Sequence, residues 1–224
     1  MSTLAPPLTR RSTHPVDVTV ATERADRDRV TVFFRPLLAI PHVLLVGGPI
    51  VAGFTWASSA DENAHVEWGA GGGVLGAVAA VCAMIAWFTI LATGTYPDGL
   101  RQLVLFYLRW RVRAVAYLTL LTDAYPPFGD GDHPASLAIE LPAVPRRRVT
   151  VAFRLVLAIP QLLALWAVSL AWCITTMLGW LLILTTGRLP GWLHEFGVGA
   201  LRWTTRVEAY LLLLHDDYPP FALA

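Results

Sequence analysis

The chain has no lysine: all seventeen basic residues are arginine. Charge of either sign is scarce, at 15% of 224 residues against 55% hydrophobic. A soluble domain carries about 25% charged and about 45–50% apolar residues, so an ordinary soluble globule is excluded. Disorder is excluded as well, because it needs low hydrophobicity and high charge. A net charge of +1 implies no nucleic-acid or strongly charged partner. The only two cysteines, Cys82 and Cys173, lie inside apolar runs and read as small hydrophobes, not as a disulfide framework. Catalytic and metal motifs are also missing. There is no His-x-x-x-His, Cys-x-x-Cys or Gly-x-Ser-x-Gly, and the six histidines are scattered. His215, Asp216 and Asp217 are neighbours, and adjacent residues converge poorly on one ion. No enzyme, metal or cofactor is therefore expected.

What the chain does have is long apolar runs and a duplication. Arg29–Arg35 (RVTVFFR) recurs as Arg148–Arg154 (RVTVAFR), each followed by Leu-Ala-Ile-Pro at Leu38–Pro41 and Leu157–Pro160. His14-Pro15 matches His133-Pro134, and Gly94 with Pro97 matches Gly187 with Pro190. Arg109-Trp110 with Arg113 and Tyr117 matches Arg202-Trp203 with Arg206 and Tyr210. Both copies close on Tyr-Pro-Pro-Phe, at Tyr125, Pro126, Pro127, Phe128 and at Tyr218, Pro219, Pro220, Phe221. Ordered matches of this kind mark a tandem repeat. The division read from them is a polar tail (1–13), repeat 1 (14–128) with an inserted loop (57–73), a linker (129–132) and repeat 2 (133–224). The glycines of the insertion lack the Gly-Lys-Ser/Thr of a phosphate loop and read as a flexible loop.

Pro36–Trp56 and Val74–Thr93 each run about twenty residues, enough to cross a hydrocarbon core of about 30 Å. The first run starts too late for a cleavable signal and reads as a retained membrane helix. Arginines flank this pair, with Arg24, Arg27, Arg29 and Arg35 before it and Arg101, Arg109, Arg111 and Arg113 after it. The loop between holds Asp61, Glu62, His65 and Glu67. The positive-inside rule puts both flanks in the cytoplasm. Leu155–Thr186 is roughly 48 Å long as a single helix. The repeat favours folding it into a second hairpin, although no Gly or Pro marks a turn at Trp172–Thr176. The expected architecture is all-α. Two repeats each contain a transmembrane hairpin and an amphipathic interfacial helix, at Asp98–Leu121 and Gly191–Leu214. Val16–Val20 and Leu137–Ile139 read as short strands that pair with each other.

The candidate site is the Arg-Trp-x-x-Arg stripe. Arginines at i and i+4 share a helical face, and two guanidinium forks there suit one phosphate. Arg109, Arg113, Arg202 and Arg206 are the expected lipid or anion contacts. Trp110, Trp203, Tyr117 and Tyr210 are expected at headgroup depth. Simple anchoring by the same residues is the plainer alternative. Tyr-Pro-Pro-Phe reads as a stiff terminator that packs its aromatics back, and Pro41 and Pro160 as kinks.

Taken in order, Leu38–His42, Thr93–Pro97, Thr186–Pro190, Arg-Trp-x-x-Arg and Tyr-Pro-Pro-Phe resemble the bacterial domain-of-unknown-function family DUF4389, over nearly the whole chain from His14. Gln161 departs from the His that usually follows Ile-Pro in that family. The resemblance implies an integral membrane protein, largely actinobacterial and often duplicated, and implies no activity. The expected role is a non-enzymatic, multi-pass inner-membrane protein with cytoplasmic termini. It would bind lipid headgroups or serve as an accessory or scaffold subunit, with lipids and other membrane proteins as partners. The alternative is a small transporter or channel for apolar or lipidic cargo.

Overall fold

A computed structural model describes residues 14–21, 27–49, 72–141 and 146–223. The elements run β1 (Val16–Val20), α1 (Arg29–Leu38), α2 (Ile40–Val46), α3 (Gly73–Thr93), α4 (Asp98–Leu118), β2 (Ala135–Ile139), α5 (Arg148–Ala152), α6 (Arg154–Thr186) and α7 (Gly191–Leu211). The fold is thus mostly helical with one small sheet. α3 and α6 are each long and apolar enough to cross a membrane, and α1 with α2, bent by 41°, passes the same test as a pair.

The second expected hairpin does not form. Leu155–Thr186 belongs to one 33-residue helix, α6. No residue in that run ends the i→i−4 ladder, and Pro160 sits inside the helix without stopping it. The break in this half lies at Phe153, between α5 and α6. In the first half the bend falls at Ala39, just ahead of Pro41.

The first half follows the same path. The offset between matching residues is 119 at Arg35/Arg154 and 93 at Gly94/Gly187, so the first half carries 26 extra residues. They fall between Val46 and Gly73. A Cβ placed on Gly73 would lie 2.7 Å from the Leu44 and Leu45 carbonyl groups, so α3 begins where α2 stops. Gly47 (φ 79°) and Gly73 (φ 66°) stand where the chain leaves and rejoins this path. Both need the left-handed backbone that glycine adopts without a Cβ clash. The expected loop at 57–73 lies outside the described residues except for Gly72 and Gly73.

Contacts along α4 show the direction. Arg35 meets Tyr117, His42 meets Trp110, and Gly76 meets Tyr107. α1, α2 and α3 therefore form one track antiparallel to α4, and not a hairpin of two spans. α6 is likewise antiparallel to α7, with Arg154 at Tyr210, Gln161 at Trp203 and Trp172 at Gly197.

The two tracks run opposite ways and meet at both ends. Trp180 donates its indole N–H to the Val32 carbonyl (3.0 Å), and Trp87 donates to Val151 (3.0 Å). Between the tracks and the sheet lie α4 and α7, α7 buried along most of its length and α4 chiefly from Val104 onward. They are central helices, not the interfacial helices expected. Their small residues, among them Gly197, Gly199, Ala200 and Ala209, admit close neighbours, and their inward charges are paired.

β1 and β2 pair antiparallel, Val16 opposite Ile139 and Val18 opposite Leu137. The inner residues Val16, Val18 and Ala135 are buried, while Thr19 and Ser136 face outward and bond to each other (2.8 Å). A two-stranded sheet is marginal alone, and this one rests on α4 and α7.

Packing sets two opposite expectations for glycine substitution. A Cβ on Gly199 would meet the Leu223 carbonyl at 2.6 Å. Gly199→Ala is expected to lower stability by about 1–3 kcal/mol through overpacking. Gly99 in the first turn of α4 has nothing within 4 Å, so Gly99→Ala is expected to raise stability by about 0.4–1 kcal/mol. Thermal unfolding of both variants in detergent reads the difference.

Candidate functional site

α4 and α7 each end in the same reverse turn. The Leu121 amide bonds to Ala116 O and the Leu120 amide to Tyr117 O, and Leu214 and Leu213 repeat this with Ala209 and Tyr210. This is a Schellman closure with leucine in place of the usual glycine. Leu120 and Leu213 have φ 65° and 63°, a conformation costing an L-residue roughly 1–2 kcal/mol. Their burial offsets that cost. Leu120 packs on Ile183, Leu189 and Leu193 of the other half, and Leu213 on Ala86, Ile90 and Tyr96.

Arginines hold each turn. Arg35 donates to the carbonyls of Tyr117 and Thr122 (both 3.0 Å) and to Asp123. Arg27 donates to the same Asp123 oxygen and to Leu120 O (2.9 Å). In the second half Arg154 donates to Tyr210 O and His215 O (both 2.9 Å) and to Asp216 (2.6 Å). Arg146 donates to Asp216 and Leu214 O (2.7 and 2.8 Å). Carbonyls at a helix C-terminus carry partial negative charge, so each guanidinium meets both a dipole end and a carboxylate. Arg35 also lies 4.5 Å over the Tyr117 ring, and Arg154 4.4 Å over Tyr210. Cation–π attraction is stronger when the pair is desolvated.

The Arg-Trp-x-x-Arg residues are therefore dispersed. Tyr117 and Tyr210 lie beneath the guanidinium groups and are buried. Trp110 donates to His42 Nδ1 (3.1 Å) and Trp203 to Gln161 Oε1 (2.9 Å). His and Gln can stand at matching positions because each offers an acceptor at the same place. These four aromatics are buried, so their position offers no contact with a headgroup. Arg113 donates to Gly129 O (2.7 Å) near Asp130, and Arg202 donates to Val18 O (2.9 Å). Arg206 is buried and feels the charge of Asp17. The two arginines of each pair are thus not jointly presented to one phosphate. Only Arg109 of the eight is exposed.

Tyr125 and Phe128 close back on the first half, and Phe128 stacks on His42 at 4.5 Å. Tyr218 and Phe221 lie against Tyr210 and Trp203. At the centre, Arg111 Nε sits 2.7 and 2.8 Å from the two oxygens of Glu208, and its Nη1 donates to Val46 O (2.7 Å). Sequence reasoning missed both ionic features. The clamps had a signal, since Arg27/Arg146, Arg35/Arg154 and Asp123/Asp216 all match between the halves. Arg111–Glu208 had none, because its matching positions are Thr204 and Val115.

His14 and His215 meet edge to face at 5.1 Å. Burial, then the charge of Arg206, lowers the His14 pKa. Burial pushes His215 down to about 3. Among the described residues no group of three His, Cys, Asp or Glu is placed to hold a metal ion.

The class defined so far is a helical protein with two long, apolar, outward-facing helices over a central pair locked by buried arginines. Within that class, the profile of the domain of unknown function DUF4389 matches residues 69–129 and 148–222. The chain belongs to this family. No curated protein and no solved structure matches it.

Two expectations follow. Arg154→Ala leaves Asp216 half-buried with one partner fewer and is expected to cost about 3–5 kcal/mol, whereas Arg109→Ala is expected to stay within about 0.5 kcal/mol. Chemical denaturation separates them. For His215, the folded pKa lies below the unfolded value, so the unfolded chain binds more protons between about pH 6.5 and 3. Its contribution is full above that window and is lost as pH falls through it, by up to about 1.4 kcal/mol per pH unit. His215→Thr, the residue found at the matching Thr122, is expected to flatten stability against pH there.

Proposed function

We propose that this chain is a non-enzymatic protein of the plasma (inner) membrane, built of two duplicated units, that engages anionic lipid headgroups or accompanies a larger membrane complex. Both termini belong on the cytoplasmic side, as the arginine distribution favours. The observation that carries the reading is the exposed surface of the tracks. Val78, Val81, Met84, Ile85 and Phe88 stand out along α3, and Leu163, Trp166, Leu170, Ile174 and Met177 along α6. Contiguous apolar surface on this scale is rare on soluble monomers and suits acyl chains. Arg109 is the group best placed to meet a phosphate, with the part-exposed Arg113 one turn along the same helix. The alternative of a conduit draws no support from the cavities beside Trp172 and beside Arg111, which are about 10 Å³ each, room for about one water.

The reading is tested by purification in mild detergent and measurement of bound anionic lipid by native mass spectrometry. Arg109→Ala is expected to reduce that lipid several-fold with the fold intact. Undiminished lipid on the folded variant overturns the headgroup assignment.

A further inference from the structure

The layering of the fold bears on how the molecule sits in lipid. Resting on the reading above that the protein is embedded in a membrane, we propose that the two long tracks lie in the plane of the bilayer, within one leaflet, with the sheet on the water side. This differs from the multi-pass arrangement that run length alone suggests.

The first observation is where the sheet lies. β1 and β2 pack on α4 and α7, and the tracks pack on other faces of the same two helices. The order through the molecule is sheet, central helices, tracks. The tracks run opposite ways, so the middle of their combined length falls where α4 and α7 cross, at Arg111 and Glu208. The sheet lies across that same level, tied by Arg202 to Val18. Were the tracks upright, the sheet would sit at mid-membrane, lipid on its outer face. Among the described residues no third strand pairs with either of its edges, and open sheet edges do not occur in hydrocarbon. Thr19, Ser136 and Arg109 would be exposed there too, where ionised groups are rare and face a protected interior.

The second observation is length. The exposed apolar side chains of α6 run from Leu155 to Leu181, about 40 Å along the axis. A hydrocarbon core is about 30 Å thick, so an upright α6 needs a steep tilt to keep this stripe in lipid. Lying flat, the whole stripe meets acyl chains at one depth.

The third observation is the aromatic fringe. Tyr125, Phe128, Tyr218 and Phe221 are exposed. They sit at the seam between a track and its central helix, with Tyr125 reaching Leu38 O and Phe128 lying against both His42 and Trp110. In the flat arrangement this seam is the headgroup level, where such rings concentrate.

The experiment uses the full chain with Cys82→Ala and Cys173→Ala in native membrane vesicles, and single cysteines at Thr93, Thr186 and Ser136. These three lie at one track end, at the other track end and on the sheet, and all are exposed. A membrane-impermeant maleimide is applied from each side in turn, and each membrane is also washed with alkaline carbonate. The expected result is that all three react from one and the same side while the protein resists the wash. Reaction of Thr93 and Thr186 from opposite sides overturns the flat arrangement and leaves membrane embedding standing. Release into the wash overturns embedding itself. Nitroxide probes at Leu155, Leu170 and Met177 give an independent reading in the same vesicles. Equal depth at the three supports the proposal, and a depth that rises and falls along the helix overturns it.

Discussion

At the C-terminal end of each central helix two arginines converge on one aspartate, and the rest of the described structure is arranged around those two points. Asp123 receives Arg27 and Arg35, and Asp216 receives Arg146 and Arg154. The same guanidinium groups satisfy carbonyls of the closing turn. Arg35 and Arg154 are each about 1% exposed, so this is charge held away from water. Such burial is tolerable only when nearly every donor finds an acceptor. Here the acceptors are a carboxylate and a helix C-terminus together. Because the arginines come from the start of each track and the aspartate follows the central helix, each clamp fixes the register of one helix on the other. The turn it holds then carries Leu120 or Leu213 into the opposite half.

From that register the layers follow. The tracks keep one narrow stripe inward, at Arg154, Ala158, Gln161, Leu165 and Trp172 in α6, and leave most of their circumference apolar and exposed. The central helices are largely buried between the tracks and the sheet, with the first turns of α4 and Arg109 left exposed. The extra segment of the first half leaves and re-enters at one point, so the track runs on past it. Arg111 spans that point, binding Val46 O as well as Glu208. The positions matching Arg111 and Glu208 are Thr204 and Val115, so the second half has no counterpart of this pair.

Much of this was legible in the chain. The helical class, the paired strands, the apolar runs and the matching residues follow from periodicity and repetition, which are local properties. The arginines at 35 and 154 were visible as part of a motif, but they read as flanking charges at the edge of an apolar run. Their real partners are carbonyls and an aspartate more than fifty residues away in each half. The Arg-Trp-x-x-Arg stripe misled for the same reason. Helical spacing says which residues share a face of a helix, and it says nothing about what covers that face.

By itself the sequence determined that apolar helices dominate, that two related halves follow one another, and that charge is confined to a few places. These come from composition and from i, i+3, i+4 spacing, which every stretch carries with it. Only the tertiary structure decided that each long run is one track and not a hairpin, that the amphipathic helices are interior, and that most of the stripe arginines serve the fold. Those outcomes turn on which distant carbonyls and carboxylates a guanidinium reaches, and that is set when the helices pack.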